Sequence, residues 1–203
     1  MNSEHAKDSV LPDQKEFFHI FNFTKLPGFL TEVSYELRTE LITLGYMALS
    51  ILDQATPYGF HHKESFVDMA IGAKGHLLRP IRYPPIKDGT EGVRSAAHED
   101  INLLTVLVAA TQPGLQVKDN KGNWHDVDTD ANSIVFNVGD MLTAASGGYY
   151  NSTTHRVLHP SGKYNVSRYS MPLFLHSRPE VELKSGLTAG EYLEQRLKEI
   201  GLK

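Results

Sequence analysis

Three features of the sequence predict a mostly β fold, a sandwich or jelly roll flanked by helices. Between about Gly75 and His176, short apolar and β-branched runs alternate with turn signals, the pattern of many short strands. From Leu30 to Leu52, apolar residues recur every three or four positions, the spacing of one helix face. The chain closes on a segment with its own helix start and stop signals.

In the first helix the stripe runs Leu30, Val33, Leu37, Leu41, Leu44, Ala48, Leu52. Thr31 is the expected N-cap, with Glu32 in the first turn, and Pro57 and Gly59 end it. A shorter helix is expected around Glu64 to Gly72. Strands are expected over His76 to Tyr83, Leu103 to Ala109, Leu115 to Lys118, Ser133 to Val138, Met141 to Ser146, Thr154 to Leu158 and Ser167 to Leu175. The turn chemistry between them is Lys87-Asp88-Gly89, Gln112-Pro113-Gly114, Asn120-Lys121-Gly122, Gly139-Asp140 and Pro160-Ser161-Gly162. In the closing helix Thr188 and Glu191 form a capping box, Leu187 and Tyr192 can staple, and Gly201 takes the C′ position. The chain is expected to form a single domain over residues 1–203: a helical support segment 1–75, a jelly-roll core 76–178 and the C-terminal helix 179–203.

Composition narrows the chemistry. Twenty Lys and Arg against 24 Asp and Glu leave a net charge of −4, which offers no basic footprint for nucleic acid or an anionic membrane, so a small-molecule partner fits better. The absence of cysteine excludes disulfides, thiolate metal sites and cysteine nucleophiles. Met1 to Val10 is polar and lacks the apolar region of a signal peptide, so a cytoplasmic location is expected. Ten histidines leave imidazole available for a metal.

His98 and Asp100 stand two residues apart, so on extended backbone both project from one face as a chelating pair. His155 lies in a later β-like segment that a neighbouring strand could bring to the same point. Two imidazoles and a carboxylate on one face of an octahedron leave positions open, as in non-haem Fe(II) oxygenases. Arg168 and Ser170 repeat the two-residue spacing inside an apolar run, and an inward guanidinium needs an anion, which a bound carboxylate would supply. The other histidines take bland readings: His61 and His62 in a solvated loop, His125 at a hairpin, His159 and His176 at strand ends. Trp124 reads as a core or hairpin anchor, and Arg156, pointing away from its neighbour His155, as half of a structural ion pair.

The stretches Arg82-Tyr83-Pro84-Pro85, His98 to Leu107, Gly139-Asp140-Met141-Leu142, His155-Arg156-Val157 and Arg168-Tyr169-Ser170-Met171-Pro172 resemble the isopenicillin N synthase-like superfamily of Fe(II)- and 2-oxoglutarate-dependent oxygenases. The resemblance implies a double-stranded β-helix, a cupin-like jelly roll, with an N-terminal region shorter than is usual for the family. It also implies iron held by His98, Asp100 and His155 and a co-substrate carboxylate held by Arg168 and Ser170, with Tyr83 as the tyrosine that bonds co-substrate or substrate. The implied activity is a dioxygenase that uses Fe(II), 2-oxoglutarate and O2 to hydroxylate or desaturate a small molecule, releasing succinate and CO2. Two alternatives stay open. One is an iron oxidase in the manner of isopenicillin N synthase that consumes no 2-oxo acid, towards which Arg82-Tyr83-Pro84 inclines. The other is an incomplete iron-binding domain that needs a partner chain or a second copy of itself, a homo-oligomer, to finish its sheet.

Overall fold

The computed structural model describes residues 13–86, 93–128, 130–159 and 165–200. The turn signals at 87–89 and 160–162 and Gly201 lie outside them.

Helix α1 spans Gly28–Ala55 and starts after Pro27, a turn earlier than Thr31 suggested. Thr31 sits inside the helix, and its hydroxyl donates back to the Pro27 carbonyl at 3.2 Å instead of capping. The buried line is Arg38, Leu41, Gly45 and Leu49. Leu30 and Val33, at the start of the expected stripe, are exposed. A Cβ at Gly45 would come within 2.5 Å of the Leu175 side chain, so the glycine lets the helix lie close on that sheet. Helix α2, Phe66–Ala70, is capped by Ser65, whose hydroxyl accepts from the Asp68 amide at 3.1 Å, and by the Asp53 carboxylate, which accepts from the Phe66 and Val67 amides.

The run expected as one strand from His76 to Tyr83 is two, β2 (Leu77–Leu78) and β3 (Ile81–Tyr83), interrupted at Arg79-Pro80 because proline has no N–H for the ladder. Its partner divides in the same way into β10 (Arg168–Ser170) and β11 (Pro172–Leu175). β3 pairs with β10 and β2 with β11, while β1 (Glu16–Phe17) adds to the edge of β3. On the other side of β11 lie β5 (Leu104–Val108) and then β8 (Ile134–Val138). The second layer has the order β4-β9-β6-β7, with β4 Ser95–His98, β9 His155–Val157, β6 Leu115–Lys118 and β7 Trp124–Asp126. All these pairings are antiparallel.

One expected strand is a helix. Met141 to Ser146 falls in α3, Asp140–Ala145, entered through Gly139. Met141, Leu142 and Ala145 are its buried residues, a helical spacing that so short a segment could not separate from a strand pattern. After β11 a small hairpin of β12 (Glu182–Lys184) and β13 (Leu187–Thr188) leads into α4, Ala189–Glu199, where the Thr188–Glu191 capping box forms as expected. Tyr192 and Arg196 of α4 both reach the Asp140 carboxylate, which ties the last helix to α3.

The main core lies outside the two sheets, where Leu41, Leu49, Phe66 and Met69 pack with Val106, Leu173 and Leu175. Between the sheets a smaller cluster, Ile81, Tyr83, Leu115 and Val157, closes one end. The rest of that interior is open, a jelly roll with a hollow centre. Among the described residues no helix is long and apolar enough to cross a membrane.

Candidate metal centre and the cavity around it

β4 and β9 set His98 opposite His155, with ring centroids 4.3 Å apart. Each imidazole turns its Nδ1 to a backbone carbonyl, His98 to Ala96 at 2.7 Å and His155 to Thr153 at 3.0 Å. A carbonyl only accepts, so each Nδ1 carries a proton, and in the neutral ring Nε2 then keeps the lone pair. Both Nε2 atoms face Asp100 Oδ1, at 4.0 and 3.8 Å. The three donor atoms lie within 4.8 Å of one another.

Asp100 stands beyond the end of β4, and its placement depends on structure that the His-x-Asp spacing does not contain. The first amides of α3 hold the bend: Asp140 N–H donates to the Asp100 carbonyl at 2.8 Å, and Met141 N–H to Ile101 and Asn102. Gly139 permits this approach, since a Cβ there would meet the Asn102 carbonyl oxygen at 2.1 Å. The second carboxylate oxygen, Oδ2, accepts from the Thr105 hydroxyl at 2.6 Å and from the Asn137 amide at 3.1 Å. Asn102 in turn donates to the Thr105 hydroxyl at 3.1 Å. Oδ1 is thereby left to the histidines.

Burial pushes the His98 imidazole down to about 4, helped by its neighbour His155. Burial would raise Asp100, but His155, His98 and the bonds from Thr105 and Asn137 outweigh it and hold the carboxyl below its ordinary value. At neutral pH His98 is uncharged and Asp100 ionised, the protonation states of metal ligands. The lone pairs of these three atoms point to one place that a single cation would join. The donor set of two imidazole nitrogens and one carboxylate oxygen fits iron(II).

Arg168 and Ser170 are buried while Tyr169 between them is 45% exposed, so the alternation turns the first two inward as expected. Tyr83 is the ladder partner of Arg168, and the guanidinium carbon lies 5.3 Å from the centre of its ring. Burial raises the Tyr83 phenol, against the pull of Lys15 and Arg168. Arg168 donates from Nε to the Gln112 carbonyl at 2.9 Å. Among the described residues no carboxylate pairs with it. A second buried arginine, Arg94, adds positive charge behind it and donates to the Val166 carbonyl at 2.6 Å. The three histidine and aspartate ligands and Arg168, Ser170 and Tyr83 all line one cavity of about 1470 Å³.

The other sequence readings divide. His125 is at an exposed hairpin, bonded to Asp119. His62 is half-buried, its Nε2 bonded to the Glu182 carbonyl at 2.7 Å, so it is structural and not merely solvated. Arg156 forms no ion pair with the described carboxylates; it donates to the Gln116 side chain and lies 4.0 Å over Trp124, which is indeed a hairpin anchor. His176 is no inert strand end, because it lines the cavity. Thr105 and Asn137 escaped the sequence reading, although a polar residue at an inward position of an apolar strand was the available signal.

Comparison with known proteins agrees with this geometry. Residues 74–177 match the sequence profile of the 2OG-Fe(II) oxygenase superfamily. A 2-oxoglutarate-Fe(II) type oxidoreductase of Aspergillus fumigatus is 30% identical over 73% of this chain and 43% of its own length. Clavatol oxidase of Penicillium crustosum is 29% identical over 81% of this chain and 48% of its own. The chain thus spans about half the length of these curated relatives. The solved structure of a putative oxygenase from Shewanella oneidensis superposes with a TM-score of 0.86 at 38% identity, covering 98% of this chain and 76% of the other. A profile that spans half the chain, a shared fold and a donor set fit for iron(II) converge on one statement: the chain belongs to the 2OG-Fe(II) oxygenase superfamily.

Proposed function

We propose that the protein is a non-haem Fe(II) dioxygenase that consumes 2-oxoglutarate and O2 to hydroxylate or desaturate a small molecule, releasing succinate and CO2. One observation carries the reading: a convergent His98, Asp100 and His155 donor set shares a cavity with a buried arginine that no described carboxylate neutralises. His98 and His155 hold the metal through Nε2 and Asp100 through Oδ1. Bound iron(II) supplies the oxygen and electron-transfer chemistry that amino-acid side chains lack. The chain supplies the rest. Arg168 and Ser170 receive the far carboxylate of the 2-oxo acid, the guanidinium as a two-pronged donor and the hydroxyl as a further one. Tyr83 packs against the guanidinium and offers its phenol O–H to the same ligand. The apolar wall formed by Ile81, Leu115 and Val157 excludes water from this end, which strengthens each of those bonds.

The Aspergillus relative is named for 2-oxoglutarate, which favours the 2-oxo acid over the oxidase alternative. We read residues 1–203 as a single oxygenase domain acting in the cytoplasm, without nucleic-acid or membrane partners. Self-association is part of the same reading, since α1 exposes Phe29, Met47 and Ile51, and sedimentation velocity checks it.

The test is to add Fe(II) and then 2-oxoglutarate to the apoprotein without oxygen. A weak visible charge-transfer band is expected, and its loss in Arg168→Ala at the same co-substrate concentration. Iron binding without the band would return the oxidase, and no iron binding would overturn the ligand assignment.

A further inference from the structure

The strand that carries His98 is irregular just before it. β4 pairs Ser95 with Val157 and His98 with His155, three steps on β4 against two on β9. Residues three apart on a regular strand face opposite ways, whereas residues two apart, such as Val157 and His155, face the same way. The extra residue at Ala96-Ala97 is therefore a β-bulge, and it is what turns His98 to the side of His155.

Ala96, inside the bulge, is held at both ends. Its carbonyl accepts from His98 Nδ1 at 2.7 Å, and its N–H donates to Asp13 Oδ1 at 2.9 Å. Asp13 Oδ2 accepts from the Ser95 hydroxyl at 3.3 Å and pairs with the Lys15 ammonium at 2.8 Å. One carboxylate thus grips the two residues at which the bulge begins.

That carboxylate reaches across from the other layer. Asp13 stands shortly before β1, which pairs with β3 through Glu16 and Phe17. Residues 13–17 therefore join one sheet to the other, and Asp13, Lys15, Ser95 and Ala96 line the same cavity as His98. General stability does not account for the pair. The Lys15 and Asp13 side chains are only 8% and 4% exposed, and a buried ion pair often gains nothing over apolar residues of similar volume. What apolar residues could not do is accept the Ala96 amide.

We propose that Asp13 is a positioning residue of the metal site: by holding the Ala96 amide it fixes the bulge that aims His98 Nε2. The proposal rests on the reading given above for what His98 binds, but not for how its ring is held. Thr105 and Asn137 support Asp100 from within the sheet, and Asp13 supports His98 from the segment that straps the two sheets together.

The experiment compares the full chain with two double variants, Asp13→Asn with Lys15→Met and Asp13→Leu with Lys15→Met. Both remove the buried charges together, so neither is left unpaired, and they differ in whether an acceptor remains for the Ala96 amide. In the apoprotein, long-range proton–nitrogen NMR reports which His98 nitrogen carries the proton. Nδ1–H alone is expected in the unaltered protein and the Asn variant, and a mixture of tautomers in the Leu variant. Equilibrium dialysis without oxygen should show Fe(II) affinity about 10- to 100-fold lower in the Leu variant than in the Asn variant. The visible spectrum of saturating Co(II), which a merely loosened fold would not alter, should change in the Leu variant alone. Two variants that behave alike in tautomer and spectrum overturn the proposal, whether both match the unaltered protein or both depart from it. Metal binding by the unaltered protein with that result removes the positioning role alone. A His98 ring freed only in the Leu variant, in a protein that binds neither Fe(II) nor Co(II), removes the metal reading alone.

Discussion

The two ends of the proposed catalytic centre are built in opposite ways. At the histidine end, each ligand's second polar atom is committed to the protein: both Nδ1 atoms to carbonyls and Asp100 Oδ2 to Thr105 and Asn137. Only the three atoms that face one another are left. At the arginine end, Arg168 is positioned by one bond from Nε to a carbonyl and by the Tyr83 ring, and its charge has no carboxylate partner among the described residues. The first arrangement fixes geometry before a ligand arrives, as metal coordination requires. The second fixes only position and leaves charge for the ligand to neutralise. The metal end should therefore be sensitive to changes behind the ligands, and the anion end to loss of charge.

The largest expected effect is that of Asp100→Ala, which removes the one anionic ligand and should abolish stoichiometric Fe(II) binding in equilibrium dialysis. Retained tight binding would break the comparison at its metal end. Next, Arg168→Ala should weaken 2-oxoglutarate by about 2–5 kcal/mol, the range for removing one partner of a buried charge pair, while leaving iron affinity unchanged. A parallel loss of iron would show that the two ends are not separate. A smaller effect is expected of Thr105→Val, which would touch neither the metal nor the co-substrate but removes the bond to Asp100 Oδ2: isothermal titration should show iron affinity reduced by about 10- to 100-fold, as for other residues that orient a metal ligand.

The remaining effect is on stability and not on ligand binding, through pH. Burial pushes His76, His98 and His176 each down to about 4. Below the ordinary histidine value of about 6.5 the unfolded chain takes up protons that the folded chain refuses. Apoprotein stability should accordingly be full above that value and decline as pH falls from about 6.5 towards about 4. Urea denaturation at the two limits checks it, and equal midpoints would contradict the buried, neutral state of these rings.

Much of this was legible in the sequence because it depends on periodicity. Alternation turned Arg168 and Ser170 inward and exposed Tyr169, and the capping box located the start of α4 to the residue, although the helical segment expected over 179–203 opens with the β12–β13 hairpin. Placement by backbone contact was not legible. The His-x-Asp spacing suggested one extended strand, whereas β4 ends at His98 and Asp100 is set by the amides of α3, a helix that the pattern assigned to a strand. Six residues are too few for helical and strand periods to diverge. Thr105 and His176 gained meaning only when the fold put the first against the Asp100 carboxylate and the second in the cavity lining.

The most direct test of the account is a crystal structure with Mn(II) in place of iron, and 2-oxoglutarate. The metal should be bonded to Nε2 of His98, Nε2 of His155 and Oδ1 of Asp100, with the far carboxylate of the co-substrate on Arg168 and Ser170. Coordination through Nδ1 of either histidine, a metal elsewhere in the cavity, or a co-substrate turned away from Arg168 would contradict it.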